Sequence, residues 1–192
     1  MTAPRTRSAP KTKAAILAAA RNLFAQDGYD RTSMRAVAAA VGVDPALVLR
    51  YFESKDRLLA EAADFDLALP DLAGLGAGEI ARTLVRTFFE VWENDDTFLA
   101  LLRASATSEV AAERMRSVFQ EQVVPALSRA ALDQPVRRAA LVGSQVIGFA
   151  FARYVLRIPA ITAMTRDDVV SWLGPMLVRY LTVRDPRRSS NK

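Results

Sequence analysis

The sequence predicts an all-α protein of about nine helices. Apolar residues recur every three to four positions through most of the 192-residue chain, and Ala, Leu and Arg dominate its composition. The strict apolar–polar alternation that is typical of a half-buried strand is absent. Hydrophobic residues make up 51% of the chain, which is enough to bury a substantial core.

The first helices have recognisable start and stop residues. A helix over 11–27 ends at Gly28, and Ser33 can cap a short second helix that reaches residue 40. Asp44 and Pro45 start a third helix, because the aspartate accepts free N–H groups and proline fits the first helical position. Ser54 caps a fourth helix, which we expect to run to about residue 69.

The second and third helices, joined by a tight turn at Gly42, have the layout of a helix-turn-helix motif over residues 33–52. Such a motif places the third helix in the DNA major groove, with its N-terminal residues near the base edges. Ordinary helical hairpins share this spacing, so the pattern alone is equally compatible with two helices that pack in a core and do not bind DNA. The residues expected to form the small core of the motif are Val37, Ala38, Val41, Val43, Val48 and Phe52.

The net positive charge of the chain comes from its first third. Residues 1–60 hold ten Lys or Arg and five Asp or Glu, whereas residues 61–192 hold sixteen of each. A basic segment beside a neutral one is the electrostatic footprint of a nucleic-acid-binding domain. A solvated face with a disordered basic arm is the alternative.

Missing residue types exclude several functions. With no His and no Cys, the chain has no histidine acid–base chemistry, thiol chemistry, disulfide or Cys/His metal site. The carboxylate pairs 95–96 and 167–168 fit helix starts better than a metal, so we expect no cofactor, no metal and no enzyme activity. The apolar stretch 139–152 is shorter than the roughly 20 residues of a membrane span. With no targeting signal evident, we expect no membrane partner and a cytoplasmic location.

Residues 11–60 resemble the DNA-binding domain of the tetracycline-repressor (TetR) family. The resemblance rests on a first helix that ends in Phe24, the turn GYDRTS, the segment VAAAVGV, Phe52 and the pair Ser54–Lys55. The segment LVGSQVIGFAFARYVLRIPAITAM and the last helix resemble the family's actinobacterial-type C-terminal domain. The implied domains are a disordered arm (1–9), a DNA-binding domain (10–55), a connecting helix (54–69), a ligand-binding and dimerisation domain (76–185) and a flexible tail (186–192).

The resemblance also implies which residues meet DNA. This sequence departs from the family pattern at Leu47 and Leu49, where Thr and a phosphate-contacting Tyr are common. Leucine cannot bond a phosphate but can pack on a thymine methyl group. The implied contacts are Thr32, Ser33, Arg35, Asp44, Pro45, Ala46, Leu47, Leu49, Arg50, Tyr51 and Lys55.

The C-terminal half carries two further expectations. Small residues along helix 136–157 would let another helix approach closely, and with the last helix they would form half of a four-helix dimer interface. The expected interface residues are Ala140, Gly143, Ser144, Ile147, Phe151, Val169, Leu173 and Leu177. Residues expected to line an effector pocket are Phe88, Phe89, Trp92, Phe98, Arg103, Phe119, Gln145 and Phe149. An ordinary intramolecular core is the alternative in both cases.

Together these observations predict a ligand-responsive transcriptional regulator. The expected form is a homodimeric repressor that binds a palindromic double-stranded operator and is released by a small apolar or amphipathic effector. An activator and a ligand-independent or architectural DNA-binding protein are the alternatives.

Overall fold

The computed structural model describes residues 9–63, 66–94 and 96–183, and these residues contain helices and no strand. The all-α prediction is therefore confirmed. The described residues divide into two compact units, 9–63 with 96–115 and 66–94 with 116–183. The predicted C-terminal domain of residues 76–185 is thus divided between both units. Residues 1–8 of the predicted arm and the tail 186–192 lie outside the described residues, and Ala9 belongs to the first helix.

The first unit begins with four helices: α1 (Ala9–Arg31), α2 (Met34–Val41), α3 (Pro45–Phe52) and α4 (Lys55–Ala62). It also contains α6 (Asp96–Ala104), which packs along α1 and α4, and the start of α7 (Glu109–Val118). The core of this unit includes the fully buried side chains Ile16, Phe24, Val37, Val48, Phe52, Leu58, Leu59 and Leu101.

Side-chain caps start three of these helices, as predicted. The Ser33 hydroxyl accepts from the Ala36 N–H, and the Ser54 hydroxyl accepts from the Arg57 N–H, both at 3.1 Å. Gly42 ends α2 in the left-handed conformation (φ 71°), which glycine adopts without steric cost. At Gly28 the backbone leaves helical geometry (φ 78°, ψ 173°), so the expected end of the first helix is a break inside α1.

The fourth helix is shorter than predicted, because α4 ends at Ala62 rather than near residue 69. Beyond it, the Asp66 carboxylate accepts from the Ala68 N–H, and the Gln122 side-chain oxygen accepts from the Leu67 N–H. These side chains satisfy donors that a longer helix would have used, and residues 66–72 are irregular.

The second unit contains α5 (Ala77–Asn94), α8 (Val124–Ser128), α9 (Pro135–Ala150), α10 (Pro159–Thr162), α11 (Arg166–Trp172) and α12 (Gly174–Thr182). Helix α12 packs on α5 and α9, and α8 packs on α9. Two glycines permit close crossings. A Cβ atom at Gly174 would lie 2.9 Å from Ala81 Cβ, and one at Gly143 would lie 2.5 Å from Phe119 Cε2.

Two helical segments of the second unit contain π-helical turns. The turn Phe119–Val123 comes just before Pro125, which has no N–H to donate to the preceding helical turn. A second π turn, Phe151–Val155, continues α9, and there the Leu156 N–H donates to the Phe151 carbonyl at 2.9 Å. Within the described ranges, helices long and apolar enough to span a bilayer are absent.

Candidate nucleic-acid interface and regulatory core

Helix α3 is fixed at its start and along one face. The Asp44 carboxylate accepts from the Ala46 N–H at 2.7 Å, and Pro45 occupies the first helical position. Val48 and Phe52 are buried, with 0% and 1% of their surface exposed. The cap and these two side chains determine which face of α3 points outward.

The outward face of α3 is mostly apolar. Pro45, Ala46, Leu49 and Arg50 are exposed, and 53% of the Leu49 surface is accessible. Leu47 and Tyr51 are half-buried at the margins of this face. The Arg50 guanidinium carbon lies 5.9 Å from the centre of the Tyr51 ring, a cation–π contact that steadies the one charged group on the face.

Three predicted DNA contacts have structural roles in the motif. Thr32 is 2% exposed, and its hydroxyl lies 2.8 Å from the Gly28 carbonyl and 3.1 Å from that of Leu23. The Ser33 and Asp44 side chains serve as the caps of α2 and α3. In contrast, Arg35 on α2 is exposed.

Lys55 lies at the start of α4, close to the turn that follows α1. Its Nζ is 4.1 Å from the centre of the Tyr29 ring and donates to the Asp30 carbonyl at 3.3 Å. Partial burial lowers the pKa of Lys55, and the charge of Asp30 partly offsets that effect. The ammonium group is therefore held beside the motif rather than extended into solvent.

Asp56 makes a connection that sequence reasoning missed. Its carboxylate accepts from the Tyr29 hydroxyl and, at 2.7 Å, from the Ser108 hydroxyl. Ser108 in turn accepts from the Ala111 N–H at the start of α7. This chain of bonds ties the start of α4 to the end of α1 and to the α6–α7 corner. Asp56 and Ser108 are 52 positions apart, so local spacing gave no signal.

In the second unit, part of the predicted pocket forms an aromatic cluster. The Phe88 ring centre lies 5.2 Å from that of Phe89, 5.5 Å from Phe149 and 6.2 Å from both Trp92 and Tyr154. The other predicted members lie elsewhere. Phe119 packs on Gly143, Gln145 is on the exposed face of α9, and Phe98 and Arg103 belong to the first unit.

Polar groups surround this cluster. Arg153 donates to the carbonyls of Ile161 (2.7 Å) and Met164 (3.1 Å), and its guanidinium carbon is 5.1 Å from the Phe89 ring centre. The partners of Arg153 thus include two backbone carbonyls and an aromatic ring. Glu93 accepts from the Tyr154 hydroxyl. Burial, with the charge of Glu93, raises the pKa of Tyr154 to about 12.

A groove of about 460 Å³ lies between α5 and α11 in the second unit. Its floor includes the buried side chains Val85 and Phe89, and its rim carries charged groups from both helices. This volume falls within the range that accommodates small organic ligands. The charged lining residues are Glu79, Arg82, Arg86, Arg166 and Asp167.

The predicted dimer residues occupy two environments. Ala140 and Ser144 are exposed on α9, and Ile147, Phe151 and Leu173 are half-buried. Gly143, Val169 and Leu177 are buried within the second unit, the last two at 0% and 1% exposure. Large apolar side chains that were not predicted lie exposed on the same elements: Leu141 (41%), Trp172 (76%) and Met176 (45%).

The fold and the capped, outward-facing α3 define a helix-turn-helix DNA-binding protein. Residues 16–62 match the model described as "Bacterial regulatory proteins, tetR family", and residues 78–181 match "Tetracyclin repressor-like, C-terminal domain". The second match alone covers more than half of the chain, so the chain belongs to the TetR family. Members of this family are DNA-binding regulators that bind small-molecule effectors, typically as dimers.

Solved structures support this assignment. A TetR-family regulator from Streptomyces coelicolor A3 is 27% identical, with 93% of this chain and 99% of that chain covered and a TM-score of 0.53. GusR from Salmonella enterica (20% identity, 93% and 99% covered, TM-score 0.64) shares the fold. The SmeT–triclosan complex (21%, 91% and 93%, 0.60) also shares it. A comparison with curated proteins gives no significant match.

Proposed function

We propose that this protein is a homodimeric repressor that binds a palindromic operator and releases it when a small apolar or amphipathic effector binds. The observation that carries the proposal is the geometry of α3. Its cap and its buried residues Val48 and Phe52 hold an exposed, arginine-bearing face outward, as insertion into the major groove requires.

The DNA contacts follow from exposure and charge. Arg35 and Arg50 can each make two hydrogen bonds to a guanine, which is the commonest specific contact in the major groove. Lys55 and Tyr51 are suited to phosphate oxygens, which position the protein without reading sequence. The proposed contact residues are Arg35, Pro45, Ala46, Leu47, Leu49, Arg50, Tyr51 and Lys55.

The proposed dimer uses the exposed faces of α9 and of α11–α12. Ala140, Leu141 and Ser144 lie exposed on α9, and small side chains among them permit close helix contact. Trp172 and Met176 add a large exposed apolar area, which is unusual on a surface that stays in water. A palindromic operator requires two copies of α3, which a homodimer supplies, at half-sites about 34–36 Å apart or a multiple of that distance.

The dimer proposal is tested with Leu141→Arg, which places a charge in the proposed interface. We expect a monomer by light scattering and a loss of operator affinity, while the helical circular dichroism stays unchanged. Leu132→Arg is the matched control, because Leu132 is also an exposed leucine (52%, against 41% for Leu141) and lies outside the proposed surface. A Leu141→Arg variant that remains dimeric would contradict this interface.

The effector proposal rests on the aromatic cluster and the groove of the second unit. Phe89 belongs to both, and the arginines on the rim can pair with a polar end of an amphipathic ligand. Triclosan bound to the structurally similar SmeT supports a small-molecule effector for this chain as well. An effector can shift the equilibrium towards the DNA-free state only by binding that state more tightly than the DNA-bound state.

The DNA-binding proposal is tested with Arg50→Ala and Arg35→Ala. If these side chains read bases, each variant should lose about 1–3 kcal/mol on the operator and much less on random duplexes. Arg86→Ala, an exposed arginine of the second unit, removes the same charge and should leave binding nearly unchanged. An equal loss on every duplex would instead support an architectural, sequence-indifferent binder.

A further inference from the structure

The outward face of α3 has very little hydrogen-bonding capacity for a surface that reads DNA. Of its four exposed side chains, Pro45, Ala46 and Leu49 are apolar, and Arg50 alone can donate. The backbone adds nothing at the start of the helix, because Pro45 lacks an N–H and the Asp44 carboxylate already holds the Ala46 N–H. Asp44 is likewise committed as the cap.

Leu49 is the largest apolar group on that face, and 53% of its surface is accessible. One helical turn earlier, Pro45 and Ala46 border the same side of α3, so the three side chains form a continuous apolar strip beside Arg50. The strip lies in a segment with excess positive charge, since residues 1–60 carry a net charge of +5. That charge favours DNA as the occupant of this surface.

The major groove presents one apolar group, the C5 methyl of thymine. A leucine placed against a cytosine amino group or a guanine oxygen would remove water from a polar atom and give no bond in return. Against a thymine methyl group, the same leucine buries apolar surface on both sides. The chemistry of the strip therefore discriminates among bases without any hydrogen bond.

We propose that Leu49, flanked by Ala46, is a specificity-determining residue that selects a thymine next to, or within two base pairs of, the guanine bound by Arg50. This inference rests on the proposed DNA-binding function and deepens it, because it states what kind of half-site α3 can read. The half-site then pairs one hydrogen-bonded guanine with a thymine recognised by its methyl group.

The test replaces each thymine of the selected operator, one position at a time, with uracil, which lacks only the methyl group. Each half-site should contain one thymine that is sensitive to this change. Uracil at that position in one half-site should weaken binding of the full-length protein by about fourfold, and uracil in both half-sites should weaken it by about 16-fold. 5-Bromouracil, whose bromine is close to a methyl group in size, should restore the affinity. Fluorescence anisotropy at fixed salt gives the dissociation constants.

The variant Leu49→Ala assigns the effect to the side chain. It should bind thymine and uracil operators equally, whereas Leu132→Ala, an equally exposed leucine of the second unit, should keep the wild-type difference. The inference is overturned if no thymine position is sensitive, or if Leu49→Ala keeps the sensitivity. In both cases selective binding to a palindrome would still stand, so failure here is distinguishable from failure of the proposed function.

Discussion

The two units hold their helices in place by different means. In the first unit, the ends of α2, α3 and α4 are determined by caps from residues next to each helix: Ser33, Asp44 and Ser54. In the second unit, crossings depend on contacts between distant residues, such as Gly174 with Ala81 and Gly143 with Phe119. The helix ends of the DNA-binding motif are therefore specified by short sequence patterns. The second unit depends more on tertiary packing, although a local capping box at Thr165 starts its helix α11.

We expect the largest loss of stability from a substitution at Arg138, which tests how much the second unit depends on tertiary contacts. Its side chain is nearly buried, pairs with Asp133 at 2.6 Å and donates to the Tyr180 carbonyl on α12. Removing one partner of a buried pair leaves the other uncompensated, so Arg138→Ala should lower the unfolding free energy by about 3 kcal/mol. Urea denaturation at a fixed protein concentration measures this loss.

Arg129→Ala is the matched control for that variant. The Arg129–Asp71 pair is exposed, with 64% and 52% of the side chains accessible, so its loss should cost far less stability than the loss of the Arg138 pair. Equal losses in the two variants would show that burial does not set the contribution of Arg138.

A second prediction concerns the close crossing at Gly143. A Cβ atom there would overlap the Phe119 ring, so Gly143→Ala should cost about 2 kcal/mol by overpacking. Phe119→Leu in the same chain should recover part of the loss. Gly78→Ala is the control in the first turn of α5, where the nearest side-chain atom is 3.5 Å away, and it should leave the stability unchanged or slightly higher. A neutral Gly143→Ala variant would argue against a tight crossing.

In the first unit, we expect smaller and more local effects. Ser54→Ala removes the acceptor for the Arg57 N–H and should cost about 1 kcal/mol in urea denaturation. Ser54→Asp supplies another capping oxygen and should retain most of the stability. No measurable loss from Ser54→Ala would mean that tertiary contacts, and not the cap, hold the start of α4.

These contrasts explain how far the sequence could predict the structure. The helix starts at Ser33, Asp44 and Ser54 are confirmed because a cap acts within three residues of itself. The predicted extent of α4 was wrong. Gln122, far along the chain, accepts the Leu67 N–H that a longer helix would bond within itself, and local sequence patterns do not reveal this contact. Likewise, the bonds of Asp56 to Tyr29 and Ser108 exist only once the helices are packed.

The smallest expected effect is a pH dependence in the second unit. The pKa of Tyr154 is raised from 10.0 to about 12, so the folded state retains the phenol proton more strongly than the unfolded chain does. This stabilisation is complete below pH 10 and is lost as the pH rises towards 12. Because Tyr154 is only half-buried, the effect should stay below about 1 kcal/mol.

Denaturation of the wild type and of Tyr154→Phe at pH 9 and pH 11 isolates this effect. The wild type should lose more stability over that interval than Tyr154→Phe, because phenylalanine has no proton to release. Identical pH slopes would contradict the assigned environment of the hydroxyl.

The most direct test of whether α3 reads sequence is selection of bound duplexes from a random pool. The affinity of the most enriched duplex is then titrated against salt. We expect a palindrome with two half-sites, bound far more tightly than random DNA, in which each half-site contains a guanine and a nearby thymine. Steep salt dependence with no enriched sequence would contradict it, because α3 would then hold DNA by charge alone.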